Sequence, residues 1–210
     1  MLSSTRQRVL AFTLALALAA AGTLLALRSR TRRAEPPAPA RGRFTLVDAS
    51  AGLPRAGQWR QGFALADLNG DGRLDLVHGP PRKGGGGPRV FLGGADGWRP
   101  WEAAKFPPAP YDYGDVAAAD FNGDGTPDLA LGIHLRGLLV LIGDGRGGFT
   151  PWSTGLALDE GAFSSRALAV ADWDRDGRPD LLALSDGPRP FARSADKALL
   201  GLRIFSNQGG

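Results

Sequence analysis

Three nine-residue stretches gather the oxygen ligands of this chain. They are Asp67-Leu-Asn69-Gly-Asp71-Gly-Arg73-Leu-Asp75, Asp120-Phe-Asn122-Gly-Asp124-Gly-Thr126-Pro-Asp128 and Asp172-Trp-Asp174-Arg-Asp176-Gly-Arg178-Pro-Asp180. All three read D-x-[ND]-x-D-G-x-x-D. Hard cations such as calcium take six to eight oxygen ligands, and alternate side chains of a tight loop supply them from one side. Positions 1, 3 and 5 offer side-chain oxygens. Position 7 (Arg73, Thr126 and Arg178) offers its backbone carbonyl, and position 9 is placed to close the cage as a bidentate carboxylate. The glycine at position 6 permits the sharp turn. Asp, Asn and Gly are also ordinary turn formers, but a shared register in three copies asks for more than a turn. Ten of the 21 acidic residues lie in these loops although the chain carries a net charge of +4. The pattern therefore predicts about three calcium ions, one per loop.

An EF-hand loop begins in the same way but needs a glutamate at position 12. Those positions hold His78, Leu131 and Ala183. Each loop is instead flanked by β-like runs: Phe63 to Ala66, Val116 to Ala119 and Ala167 to Ala171 before it, Leu74 to Val77, Leu129 to Leu131 and Leu181 to Leu184 after it. Pro127 and Pro179 suit a turn entering a strand and would break a helix. The loops are hairpin connections.

Other motifs carry less. Gly143-Asp-Gly145-Arg-Gly-Gly148 matches G-x-G-x-x-G after a strand, but Phe149-Thr-Pro-Trp152 reads as another strand, where a dinucleotide site needs a helix N-terminus. Lys83 and the glycines after it lack the helix and the Lys-Ser/Thr of a P-loop. His78 and His134 sit at different offsets from their loops and read as strand-end residues. No G-x-S-x-G elbow occurs. Trp59, Trp98, Trp101, Trp152 and Trp173 read as packing residues, with a sugar-binding face as the alternative. Arg60, Asp112, Asp115 and Arg166, ahead of the inner strands, are the nearest thing to a catalytic cluster and do not repeat. The reading is of a protein that is not an enzyme.

The loops recur at 53 and then 52 residues. Periods of this length with several short strands each, and no amphipathic helix from Phe44 onward, predict an all-β fold of β-propeller blades, one per repeat. The second repeat shows the unit best: strands near 115–119, 128–133 and 137–142, then one from Phe149. The first repeats it with a strand from Arg89 to Leu92 and Trp98 beyond the turn. The third runs through Leu202 to Phe205 without a fourth strand.

In these residues the chain resembles the FG-GAP or VCBS-type repeats of integrin-alpha-like propellers, over about residues 44–210. The shared features are an Ala-rich strand entering the acidic hairpin and the Gly-Asp-Gly-Arg-Gly-Gly-Phe turn. The literal Phe-Gly and Gly-Ala-Pro signatures are absent. The resemblance implies a calcium in each hairpin between a blade's first two strands, held by the aspartates and asparagines at positions 1, 3, 5 and 9. It also implies that Phe44 to Ser50 is the outer strand of a last blade. Three blades do not close a ring that needs at least four, so an incomplete ring and a longer gene product are expected.

Ahead of the repeats, Val9 to Leu27 form 19 uncharged residues that as a helix would nearly span the ~30 Å apolar core of a bilayer. Arg6 and Arg8 precede the run; Ala19-Ala-Ala21 offers a cleavage site, and Arg28, Arg30, Arg32 and Arg33 follow it. Residues 1–27 are thus a signal peptide or a signal anchor, residues 28–43 a basic then Pro/Ala-rich spacer, and residues 44–210 the repeats. The excess positive charge is mostly arginine, with six beside the apolar run, so no nucleic-acid footprint is read from it. With no cysteine, disulfide frameworks and thiolate metal sites are excluded. The expected function is an extracytoplasmic binding or adhesion module for a protein or glycan, membrane-anchored or secreted. The alternatives are the non-catalytic part of a polysaccharide-active enzyme, or a spacer.

Overall fold

Short apolar runs bounded by glycine-rich turns become the strands. The computed structural model describes residues 44–209 except 58–61, 83–85, 110, 135–136, 153, 155, 157–164 and 186–200. The apolar run 9–27 and the whole of the spacer 28–43 lie outside the described residues. Among those described there is no helix, and so none that could cross a membrane.

Among the described residues, eleven strands make three antiparallel sheets. Sheet one is β1 (Phe63–Ala66), β2 (Asp75–His78), β3 (Arg89–Gly94) and β4 (Gly97–Pro100), in that order. Sheet two repeats the meander with β5 (Val116–Ala119), β6 (Asp128–Ile133), β7 (Gly137–Gly143) and β8 (Phe149–Pro151). Sheet three has β9 (Ser165–Ala171), β10 (Asp180–Ser185) and β11 (Leu202–Phe205), with β10 in the middle. The register at the acidic loops is the same each time: Ala66 faces Asp75, Ala119 faces Asp128 and Ala171 faces Asp180. All three sheets belong to one unit, residues 48–210, distinct from residues 1–47.

Two cores hold the sheets together. Between sheets one and two, Leu68, Val77 and Val90 meet Val116, Leu129, Leu131 and Leu141. Between sheets two and three, Ala130, Leu138 and Val140 meet Leu181 and Ala183. Strand β6 lies under both cores, so all six of its residues are buried and its apolar run does not alternate. Beside β5 and β6 the sheets approach closely. A Cβ on Gly79, just past β2, would lie 2.5 Å from the Gly114 carbonyl oxygen of sheet two, and one on Gly132 2.6 Å from Ser165 Oγ of sheet three; within sheet two, one on Gly114 would lie 1.5 Å from the Gly132 carbonyl oxygen.

One expected element is corrected. Phe44 to Ser50 is not a strand: the segment has no ladder partner among the described residues, and Phe44, Leu46 and Val47 are exposed. A strand needs an edge whose N–H and C=O groups are free to pair, and none of the described strands takes it. The chain joins the fold just beyond, where Trp98 donates its backbone N–H to Ala51 O and its indole N–H to Ala49 O.

Candidate metal centre

Each acidic loop is folded around its own backbone amides, and the three share the same set of bonds from backbone N–H to side-chain oxygen at positions 1, 3 and 5. At position 1, Asp67 accepts from the N–H groups of Asp71 (3.0 Å) and Gly72 (2.8 Å), one on each oxygen. Asp120 does the same with Asp124 and Gly125, and Asp172 with Asp176 and Gly177. At position 3, the side-chain Oδ1 of Asn69, Asn122 or Asp174 accepts from the same position-5 amide. At position 5, Asp71, Asp124 and Asp176 accept from the amide of position 7. The turn requires left-handed backbone at positions 4 and 6, which glycine supplies at Gly70, Gly72, Gly123, Gly125 and Gly177. Arg175 takes the same conformation at φ 64°, as the one non-glycine residue to do so among the described residues.

This folding turns the oxygens of positions 1, 3 and 5 inward together. In the third loop, ligand oxygens of Asp172, Asp174 and Asp176 all lie within 4.8 Å of one another, on exposed side chains. In the first two loops an asparagine takes the middle place, and its Nδ2 donates to the position-5 carboxylate (3.1 Å in the first, 2.8 Å in the second). That amide, with the Thr126 N–H, holds the Asp124 carboxyl below the usual aspartate range. A carboxylate oxygen that accepts one N–H keeps a further lone pair, so the donor set fits a hard cation. In the third loop Arg178 already offers a charge of its own, pairing its Nη2 with Asp176 Oδ2 while its Nε donates to Asn207 O.

Position 9 is placed differently from the other three. Asp75, Asp128 and Asp180 are fully buried. One oxygen accepts the N–H of position 2 in its own loop: Leu68 (3.0 Å), Phe121 (2.8 Å) and Trp173 (2.8 Å). The other reaches the far end of the sheet's third strand, accepting from Gly93 (3.0 Å), Gly143 (2.9 Å) and Asn207 (2.8 Å). The ninth carboxylate is a latch between the loop and the outer hairpin. Any metal contact it makes shares oxygens already bonded to the backbone. Burial pushes the Asp75 and Asp128 carboxyls above the ordinary value against the pull of these bonds. At Asp180 the Asn207 N–H outweighs burial and the carboxyl is lowered.

A known repeat covers the segment running from the loop after β2 through β3, β4, β5 and the second acidic loop into β6. Residues 82–131 match the FG-GAP-like repeat. No curated protein matches the chain. The FG-GAP-like repeat so defined contains one complete acidic loop, and the other two loops reproduce its register on either side.

The remaining candidate residues fall apart. His78 ends β2 with its Nδ1 2.7 Å from Gly79 O, and burial lowers its pKa. His134 follows β6, stacked on Tyr113 and 3.6 Å from Asp112. Asp115 accepts the N–H groups of Val116 and, across to sheet three, Leu168 at 2.7 Å; it ties strands together. Arg60 and Trp59 lie outside the described residues. The Gly143 to Gly148 segment is the turn between β7 and β8, capped by Asp144, which accepts from Arg146 and Gly148. Of the tryptophans, Trp101 packs against the first core, whereas Trp152 and Trp173 are exposed. Sequence reasoning missed the second residue of each loop. Leu68 is only 2% exposed inside the first core and Phe121 packs against the second; the signal was an apolar residue in the same place of an otherwise polar loop.

Proposed function

We propose that residues 44–210 are blades of a non-enzymatic, calcium-binding β-propeller that works outside the cytoplasm as a binding or adhesion module. The observation that carries this reading is the threefold loop, in which the same amides gather the same oxygens in three separate sheets. Side chains at positions 1, 3 and 5 would hold the ion with the carbonyl of Arg73, Thr126 or Arg178, and the position-9 latch would support them. Calcium would supply a charge that fixes each hairpin; it has no reaction to perform here. Extracellular modules hold calcium at about 10⁻⁴ to 10⁻³ M, which suits a chain led by an apolar run flanked by arginines. The match to the FG-GAP-like repeat supports a binding module, and the inward carboxylates support the metal.

Calorimetry of the full chain in a mild non-ionic detergent tests this. Calcium should bind with a dissociation constant on the order of 10⁻⁴ to 10⁻³ M, and Asp124→Ala should abolish one class of site. No heat up to several millimolar calcium, roughly the extracellular range, would refute the metal reading.

A further inference from the structure

Each position-9 carboxylate accepts an N–H from the far end of its sheet's third strand, and the residue that gives it differs. In sheets one and two it is Gly93 or Gly143, where a Cβ would collide with Leu74 O or Pro127 O. Both carbonyls belong to position 8 of the acidic loop. In sheet three the place is taken by Asn207, just past β11, and here a side chain is present.

That side chain reaches beyond its own sheet. Asn207 Nδ2 donates to Phe121 O in the second acidic loop (2.8 Å) and to Pro179 O at position 8 of the third (3.2 Å). Its Oδ1 accepts the Gly209 N–H (3.0 Å), and turning the amide over would set oxygen against two carbonyls. The backbone is held as well: Asn207 N–H donates to Asp180, and Asn207 O accepts from Arg178 Nε (2.7 Å). Every polar atom of the residue is engaged.

The target is position 2 of the second loop. The Phe121 N–H donates to Asp128 (2.8 Å), its ring packs against the second core, and its carbonyl is held by Asn207. The Phe121 carbonyl and the Asn122 N–H share one planar peptide unit. Fixing the carbonyl therefore fixes the plane from which Asn122 departs, and Asn122 carries the position-3 oxygen.

We infer that Asn207 is a positioning residue for the second acidic loop, so that a side chain of sheet three completes the candidate metal site of sheet two. Groups outside the ligand sphere that orient the ligands govern metal affinity. The first loop cannot receive the same brace from sheet two, because Gly143 stands in the place of Asn207. The effect on metal rests on the calcium reading above; the brace itself does not.

Amide NMR of the glycine-labelled full chain in detergent tests both. In the first two loops the position-6 glycine, Gly72 or Gly125, donates to the position-1 carboxylate at 2.8 Å and so reports on its own site. Asn207→Gly gives sheet three the residue that the other two sheets carry, and Asn207→Leu removes the donor without adding backbone freedom. In chelator, both variants should speed hydrogen exchange at Gly125 by between about twofold and tenfold, the net worth of one hydrogen bond. Gly72 should not change. On addition of calcium, half-saturation at Gly125 should rise by a factor in the same range, again with Gly72 unmoved. Equal exchange at Gly125 in wild type and variants overturns the inference, as does a rise shared by Gly72 or confined to Asn207→Gly. Calcium that binds at Gly125 with unaltered affinity overturns it too. If neither glycine responds to calcium, the metal reading fails and the exchange rates alone decide the brace.

Discussion

Replacing Asp128 by alanine separates a latch from a ligand. The substitution removes the acceptor of two buried N–H groups, those of Phe121 (2.8 Å) and Gly143 (2.9 Å). Leaving a buried donor unsatisfied costs about 1–3 kcal/mol, so the pair is worth roughly 2–6 kcal/mol. Relief of the carboxylate's own burial, which raises its pKa, argues for the lower half of that range. Calcium linkage is smaller. For one site with a dissociation constant of 10⁻⁴ to 10⁻³ M, 2 mM calcium contributes only about 0.6–1.8 kcal/mol. Chemical denaturation of the full chain at fixed concentration, in chelator and in 2 mM calcium, resolves the two. Asp128→Ala should lose a few kcal/mol in both conditions, whereas Asp124→Ala, whose own bonds are solvent-exposed, should lose more stability in calcium than in chelator. A variant at position 128 that matches wild type in chelator would refute the latch.

Other expectations follow from the same loops. Arg178→Ala frees the Asp176 carboxylate and should tighten calcium at the third loop, read by calorimetry; an unchanged affinity would mean that the pair does not compete with the ion. Arg175→Gly should raise the melting temperature, because a left-handed non-glycine residue costs about 1–2 kcal/mol and the entropic cost of glycine returns only part of that. Without metal, carboxyl ¹³C titration should place Asp75 and Asp128 above the ordinary aspartate value and Asp180 below it. The linkage signs are opposite. Asp75 and Asp128 bind a proton more tightly when folded, so their contribution is fully present below the ordinary value and is lost as pH rises through the raised one. Asp180 contributes above the ordinary value and loses its contribution as pH falls through the lowered one. Asp180→Asn should therefore reduce stability at neutral pH and weaken its loss in acid, measured by denaturation at a series of pH values.

The loops and most of the strands were legible because their signals are local. A D-x-N-x-D-G run fixes where the chain turns, and the Val116 to Ala119 and Asp128 to Ile133 runs on either side have the composition of paired strands. What lay hidden was non-local. An aspartate at position 9 looks the same whether it serves an ion or an amide. Its distant partners, Gly93, Gly143 and Asn207, follow at 18, 15 and 27 residues, with no common residue type to mark them. Phe44 to Ser50 misled for the converse reason. Its alternation was strand-like, but strand formation is decided by whether an edge is on offer, which no local pattern records.

The glycine contacts beside β5 and β6 bear on how such an array could change its curvature. Where Gly79, just past β2, meets the Gly114 carbonyl of sheet two, no side chain separates the backbones, whereas farther along the same sheets are held apart by a layer of leucines and valines. The stack is thus a row of wedges, thin where the glycines touch. A methyl group at Gly79 would thicken the thin edge and open the angle between sheets one and two while the core stayed apolar. The number of sheets needed to complete a turn is, on this geometry, written into a few positions that carry no side chain at all.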